Sequence, residues 1–468
     1  MKKITLLFLA FTSISIFTDA QIQLWGMTTR GGASSDGNIF KCIPSTKSYS
    51  SVTEFNSSTG AAPFGSLIQG SDGNMYGMTR DGGHADYGTI FKCTASGSLT
   101  TIAYFNDSNG ATPYGDLIMG SDGNLYGMTT YGGGYGYGTI FQCTPSGTIN
   151  NLVVFYGPNG MYPNGNLIQG KDGNLYGMAS YGGDSGDSGV IFKCTTSGIY
   201  TVLDTFKSTN GGNPNGSLIQ GIDGNLYGMT MYGGTADSGT IFKCTTEGVL
   251  TTIYNFNTAS GCFPYGSLVQ GYDGNLYGLT ETGGASNYGT VFKCTTSGIL
   301  TTLVTFDGTN GENPLGSIML ASDSNLYGMT SEGGPGGAGT IFQCTTSGTL
   351  TTIGNLVGVV YACDPVRQYG TLTEINPVLG INNIESSSKI NMYPNPAHDI
   401  LNLSFDTQGA SNTAITITDI TGKEIINTNE VISNDQTVSI NISALSYGMY
   451  FAKVTTDKNT QVFKFIKN

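Results

Sequence analysis

A pentapeptide close to Leu-Tyr-Gly-Met-Thr recurs seven times in this chain, starting at Leu24, Met75, Leu125, Leu175, Leu226, Leu276 and Leu326, at intervals of 50 or 51 residues. Trp25 stands in place of the tyrosine in the first copy. Self-similarity at such a period marks a repeat architecture, in which each unit buries its apolar faces only against its neighbours. The period constrains the fold far more than the purpose.

One full unit, Pro264 to Phe306, carries four strand-like pieces. Ser267 to Gln270 leads into an Asp273-Gly274 turn of the kind that requires positive φ. Asn275 to Thr280 returns, a Gly283-Gly284 loop follows, and Gly289 to Thr295 makes the third piece. Thr296-Ser297-Gly298 then turns the chain into Leu300 to Phe306, after which a longer loop with Asn310-Gly311 reaches Pro314. Helical periodicity is absent, and β-branched and aromatic residues fill the segments between Gly, Asn and Asp clusters.

The strands lack clean alternation. In Asn124 to Thr129, Leu125 lies on one face and Tyr126 and Met128 on the other, as in a sheet buried on both sides. Four-stranded sheets packed face to face in a ring, the β-propeller, satisfy that demand. A stacked β-solenoid competes, but about 50 residues is long for one coil and suits a blade.

Counting strands sharpens the expectation. The first unit lacks its own first strand, and Tyr369-Gly370-Thr371-Leu372 after the last unit echoes Tyr265-Gly266-Ser267-Leu268. The reading is therefore an all-β, seven-bladed propeller in which a C-terminal strand completes the blade opened by the N-terminus and removes an exposed sheet edge.

Only 11% of residues are charged and the net charge is -13, which argues against nucleic acid as a partner. Met1-Lys2-Lys3, the apolar run Ile4 to Phe17, and small residues at Thr18 and Ala20 fit a signal peptide over residues 1–20. No other segment is long or apolar enough to span a bilayer.

Seven of nine cysteines follow the repeat, namely Cys42, Cys93, Cys143, Cys194, Cys244, Cys294 and Cys344. Equivalent sites on stacked sheets lie roughly 10 Å apart, too far for a disulfide, so they read as small buried apolar residues. Cys262 and Cys363 fall outside the pattern, and their pairing stays open.

The unit resembles the tandem repeats called GloVer-type, found in exported bacterial proteins. The matching residues are Leu226-Tyr227-Gly228-Met229-Thr230, Gly233-Gly234, Gly239 to Cys244, and Asn210-Gly211 to Gly216. That resemblance extends over residues 21–377 and implies no established activity.

Composition shifts after Pro377. A linker, 378–388, gives way to alternating strands at Ile400 to Phe405, Ala414 to Asp419, Val438 to Ile442, Tyr447 to Thr455 and Gln461 to Ile466, which suit a small β-sandwich over 389–468. Tyr393-Pro394-Asn395-Pro396, Ile417 to Lys423, Leu445 to Tyr450 and the ending Lys464-Phe465-Ile466-Lys467 resemble the type A C-terminal sorting domain of the type IX secretion system. The resemblance implies handling by that machinery, export across the outer membrane, and a final location on the surface or in the medium.

Strand direction sorts the loops, with both tight turns of each blade on one side and both longer loops on the other. Loops on a rigid scaffold are where binding resides, so the long-loop side is the candidate face. One position there, just before the Gly-Gly or its neighbour, varies from blade to blade: Arg30, Arg80, Tyr131, Tyr181, Tyr232, Glu281 and Glu332. Around a ring these give basic, aromatic and acidic arcs, with Arg367 near the basic one and Tyr87, Tyr135, Tyr137 and Tyr288 adding aromatic area. Flat rings flanked by amides and carboxylates suit sugars; drift at solvated loop positions is the plainer account.

The recurrent aspartates Asp72, Asp122, Asp172, Asp223, Asp273 and Asp323 are each followed by Gly or Ser and then Asn, which suits hairpin turns better than calcium loops. Only His84 and His398 are available for a Ser-His-Asp arrangement, and no HExxH, phosphate loop or nucleophile elbow occurs. Asp81, Asp86, Asp184, Asp187, Asp237 and Glu281 on the long-loop side leave a carboxylate pair open without choosing one. The sequence assigns no catalytic residue, metal or cofactor. It supports a non-enzymatic binding protein outside the cell, for polysaccharide or another extracellular component; a carbohydrate-active hydrolase or lyase and a purely structural surface protein are the rivals.

Overall fold

The computed structural model describes residues 22–70, 72–183, 188–356, 370–375, 389–393, 397–406, 411–419, 423–432, 436–446, 448–456 and 460–467. The signal segment, the linker, Cys363, Arg367, Asp184 and Asp187 lie outside them. The chain divides into two units, Met1–Pro377 and Val378–Asn468. No helix among the described residues is long and apolar enough to cross a membrane.

The first unit is a seven-bladed propeller, each blade a four-stranded antiparallel sheet. The third blade is representative, with Ile118–Met119 innermost, then Leu125–Thr129, Thr139–Cys143 and Ile149–Val154. Every residue of Leu125–Thr129 is buried, and its two faces serve different neighbours. Leu125 packs with Phe105 and Leu117, whereas Tyr126 and Met128 pack with Leu175 and Phe192 of the fourth blade. This double burial is the physical cause of the missing alternation.

The motif's glycine and the phenylalanine of the third strand form one device. Gly127 pairs with Phe141 across the strands, and a Cβ on Gly127 would lie 2.7 Å from the Phe141 ring. That ring meets Phe105 of the preceding blade edge-on at 5.2 Å. Corresponding edge contacts, Phe206–Phe242 and Phe306–Phe342, cement other seams, a geometry worth about 0.5–1.5 kcal/mol beyond burial. A register shift follows the residue before this phenylalanine in the outer pairing, as at Ile140/Phe141, and such bulges sharpen strand twist.

The ring closes as the strand count requires. Thr373–Ile375 is the innermost strand of the first blade, pairing Thr373 with Trp25 and Ile375 with Gln23. Leu372 packs with Leu24 and Phe40 of the first blade and Tyr327 of the seventh. The Ser322 N–H donates to Glu374 Oε2 at 2.8 Å, matching the Lys171 N–H to Gln220 Oε1 bond elsewhere in the ring.

Around the axis the blades touch through backbone. A Cβ on Gly165 would collide with the carbonyl oxygen of Gly216, and one on Gly370 with that of Gly65. Just outside these glycines runs a series of hydrogen bonds from backbone N–H to the next blade's side chain. Asn166 donates to Ser217 Oγ at 2.7 Å, Ser217 to Ser267 Oγ at 2.8 Å, Ser267 to Ser317 Oγ at 2.8 Å, and Thr371 to Ser66 Oγ at 2.7 Å. Ser66 and Asp116 continue it through Asp116 Oδ1 and Asn166 Oδ1.

The repeat cysteines are buried and free. Burial pushes the Cys143 thiol up to about 11, consistent with inert packing groups. Cys262 is likewise buried and free.

The second unit is a sandwich. Lys389–Tyr393, Ile400–Asp406 and Thr437–Asn441 form one sheet; Glu424–Ile432, Ser411–Asp419, Gly448–Thr456 and Thr460–Lys467 form the other. Leu401, Leu403 and Ile440 from the first meet Ile415, Ile417 and Phe465 from the second in one core. Glu424–Ile432 has no counterpart among the sequence expectations. It is an edge strand of mostly polar residues, largely exposed among those described, so little apolar alternation announces it.

Candidate functional site

Each of the six described loops that cross to the next blade ends in a residue at positive φ just before a proline: Ala62 (50°), Thr112 (55°), Tyr162 (54°), Asn213 (51°), Phe263 (55°) and Asn313 (51°). Non-glycine residues adopt this conformation only when the surroundings over-determine it. Here both backbone groups are engaged across the seam. Tyr162 N–H donates to the Tyr137 carbonyl at 3.0 Å, and the Tyr162 carbonyl accepts from Ser180 N–H at 3.3 Å. The same pair of bonds holds Ala62, to Asp36 at 2.9 Å and from Arg80 at 3.1 Å. The long-loop face is thereby rigid in backbone while its side chains vary.

On that face lies a basin of ≈ 750 Å³ spanning the loops of the first four blades. Arg30 and Asp36 come from the first blade, Arg80 and Asp81 from the second, Tyr131 from the third and Tyr181 from the fourth. Phe64, Tyr114, Asn164 and Tyr265 border both the basin and a narrower channel lined by the axial residues. These four occupy the middle position of the Pro-x-Gly that precedes each innermost strand. Sequence reasoning missed them because proline and glycine there read as turn chemistry. The signal was the variation of x between two residues that repeat.

Arg80 and Asp81 form a forked ion pair. Nε donates to both carboxylate oxygens at 3.0 and 2.9 Å, and Nη2 donates to Oδ2 at 2.6 Å. The guanidinium carbon stands 4.9 Å from the Phe64 ring centre and 5.9 Å from that of Tyr114. Burial works against the Arg80 charge, but Asp81 outweighs it and raises the group's pKa above its ordinary value. The arrangement fixes a donor and an acceptor side by side on an aromatic bed.

Tyr162 joins the aromatic side of the basin together. Its ring centre lies 5.3 Å from Tyr131 and 6.0 Å from Tyr181, and Tyr137 meets it edge-on at 5.5 Å. Tyr131 and Tyr181 remain 46% and 40% exposed, so their rings are available to a ligand.

Four of the seven residues singled out from sequence, Arg30, Arg80, Tyr131 and Tyr181, therefore border one basin. The other three do not. Tyr232 packs against Phe263 at 5.5 Å, and Glu281 and Glu332 belong to the sixth and seventh blades. The seven also occupy two registers. Tyr131, Tyr181, Tyr232 and Glu332 bridge the preceding loop through Ala111, Met161, Gly212 and Glu312, a place held in the second and sixth blades by Asp81 and Thr282. Arg80 and Glu281 precede it by one residue.

The remaining carboxylates of the face divide by role. Asp86 and Asp237 accept from Gly82 and Gly233 N–H at 2.7 and 2.8 Å, a place that Asn287 fills in the sixth blade. A neutral amide suffices there, so the charge is incidental to the loop. Glu312 sits beside Glu332, and burial together with that neighbouring carboxyl raises its pKa.

On the opposite side, the tight-turn aspartates are engaged internally. Asp122 accepts from Tyr126 Oη at 2.6 Å, Asn124 Nδ2 at 2.8 Å and Asn124 N–H at 3.1 Å. Partial burial pushes its pKa up, but these bonds outweigh it and hold the carboxyl below its usual value. Among the described residues no group of three His, Cys, Asp or Glu side chains is placed to hold a metal ion.

No curated protein matches the chain. Among solved structures, the periplasmic gluconolactonase of Pseudomonas aeruginosa is 15% identical, with a TM-score of 0.53 over 76% of this chain and 99% of its own. A protein assigned as a 6-phosphogluconolactonase from Bacteroides uniformis gives 14%, 0.53, 76% and 100%; one from Bacteroides fragilis gives 18%, 0.51, 77% and 99%. At such identities the likeness is one of fold. Residues 391–468 match the secretion system C-terminal sorting domain, the tail of type IX substrates, so the protein is secreted across the outer membrane to the cell surface or the extracellular space. Residues 12–188 and 170–376 match the Gloeobacter/Verrucomicrobia repeat, and together these matches cover most of the chain, which belongs to that repeat family.

Proposed function

We propose that the propeller is a non-enzymatic binding module, displayed or released outside the cell, whose long-loop basin takes a glycan or another hydroxyl-rich extracellular component. The observation that carries this reading is the meeting of Arg80–Asp81 and the Tyr131–Tyr162–Tyr181 rings around one basin. Sugars offer apolar ring faces and hydroxyl rims, and aromatic side chains at fixed positions match the first while forked polar groups match the second. The test is a glycan array probed with the full chain, and silence across it would contradict the proposal.

A second reading is a carbohydrate-active enzyme. Glu312 and Glu332 favour it, because two neighbouring carboxyls with one pKa raised are the material of acid and base roles. Release of reducing ends, abolished by Glu332→Gln, would promote this reading over simple binding.

A further inference from the structure

We infer that the basin selects an uncharged, hydroxyl-rich glycan through the Arg80–Asp81 pair, an inference that rests on the binding role proposed above. The chain has only three arginines, and two of them, Arg30 and Arg80, border the basin. Two arginines at a binding surface ordinarily suggest an anionic ligand, since the guanidinium fork matches a carboxylate or sulfate. Here the charges are already answered. Asp36 and Asp81 border the same basin, so among the described residues its formal charges cancel and no lysine borders it.

The fork itself is occupied. Asp81 takes the Nε and Nη2 edge of Arg80, one of the two edges by which a guanidinium grips a carboxylate, at 2.6 to 3.0 Å. Phe64, 4.9 Å away, covers one face of the cation. An acidic polymer would have either to displace Asp81 or to bring its own charge against that carboxylate while approaching a chain of net charge -13, an uphill step in both cases. A neutral sugar needs no displacement. Each hydroxyl both donates and accepts, so adjacent hydroxyls can meet the remaining lone pairs of Asp81 and the remaining N–H groups of Arg80. The exposed rings of Tyr131 and Tyr181 then serve the apolar face of a pyranose.

The experiment is calorimetry of the full chain against neutral polymers (a glucan, a mannan, a xylan) and acidic ones (a polyuronate, a sulfated dextran). It is run at about 0.05 and about 0.5 M NaCl to separate screened from unscreened binding. At least one neutral polymer is expected to bind with an affinity that salt leaves unchanged, and the acidic polymers are expected not to bind. Asp81→Asn is expected to weaken the neutral ligand about tenfold, the loss of a hydrogen bond to a charged acceptor. It should also create salt-sensitive affinity for the polyuronate, because Arg80 loses its partner. Arg80→Gln, which keeps Asp81 and leaves the basin net negative, should lose the neutral ligand similarly and gain nothing acidic. Wild-type preference for acidic polymers, or an Asp81→Asn variant that melts normally and binds both classes as before, would overturn the inference while leaving a binding role standing. Failure of every polymer to bind would overturn that role as well.

Discussion

The backbone N–H of Thr371 donates to the hydroxyl of Ser66 at 2.7 Å, joining residues 305 apart in sequence. This bond occupies the same place in the axial series as Ser217 to Ser267, which are 50 apart. The chain thus fastens its last repeat segment into the ring by the contact it uses between consecutive blades, and the first blade's edge is covered rather than exposed.

Leu372→Ala tests that fastening. The side chain is 2% exposed, and its loss is expected to cost about 2–5 kcal/mol. Leu218→Ala, at the equivalent place inside the ring and 1% exposed, should cost a similar amount. Only the Leu372 variant should also release the amides of Gln23–Thr28 to hydrogen exchange. Full protection of that strand in Leu372→Ala would contradict the closure.

The second and third strands of most blades are linked by a buried hydroxyl pair, such as Thr129 and Thr139 at 2.9 Å. The fourth blade carries Ala179 and Val190 instead, both buried. Losing one partner strands a buried polar group, whereas replacing both with apolar groups is close to neutral. Thr129→Ala alone, which leaves the Thr139 hydroxyl without its partner, is therefore expected to destabilise by about 1–2 kcal/mol, and Thr129→Ala with Thr139→Val by less than the sum of the singles. Denaturant unfolding of the double-mutant cycle decides; strict additivity would contradict the coupling.

The Asp–Tyr turns make stability depend on pH at both ends. Asp122 has its pKa lowered, despite partial burial, by bonds from Tyr126 and Asn124. Its contribution is therefore full above the unfolded value near 4 and is lost as pH falls through the lower folded value. Burial and Asp122 push the Tyr126 phenol up to about 12. That contribution is full below the unfolded value near 10 and disappears as pH rises toward the folded one. In Tyr126→Phe, carboxyl titration followed by NMR should show Asp122 moving up toward its ordinary value; an unmoved titration would contradict the assignment.

Much of this fold is written in the repeat itself. Leu125 on one face and Tyr126 and Met128 on the other already encode a doubly buried strand, and the Thr371-Leu372 echo encodes the closure, whereas the Phe141 ring laid over Gly127 emerges only from the register. Glu424–Ile432 was not legible because an exposed edge strand needs little apolar alternation. The basin was legible only in part. A period assigns Arg30, Arg80, Tyr131 and Tyr181 to one face, but it treats all blades as equal. Which loops enclose a cavity depends on the size of each side chain at Ala62, Tyr162 and their equivalents, and on rings such as Phe64 and Tyr114 hidden within a Pro-x-Gly turn.

The most direct measurement is the affinity of the full chain for a glycan that binds it, compared with that of the double variant Tyr131→Ala, Tyr181→Ala. Both rings are exposed on the basin and neither belongs to the buried seams, so the variant should melt near the wild type. Loss of about 1–3 kcal/mol per ring, enough to abolish detectable binding of a weak ligand, is the expected result. Undiminished affinity in a folded variant would contradict the basin as the binding site.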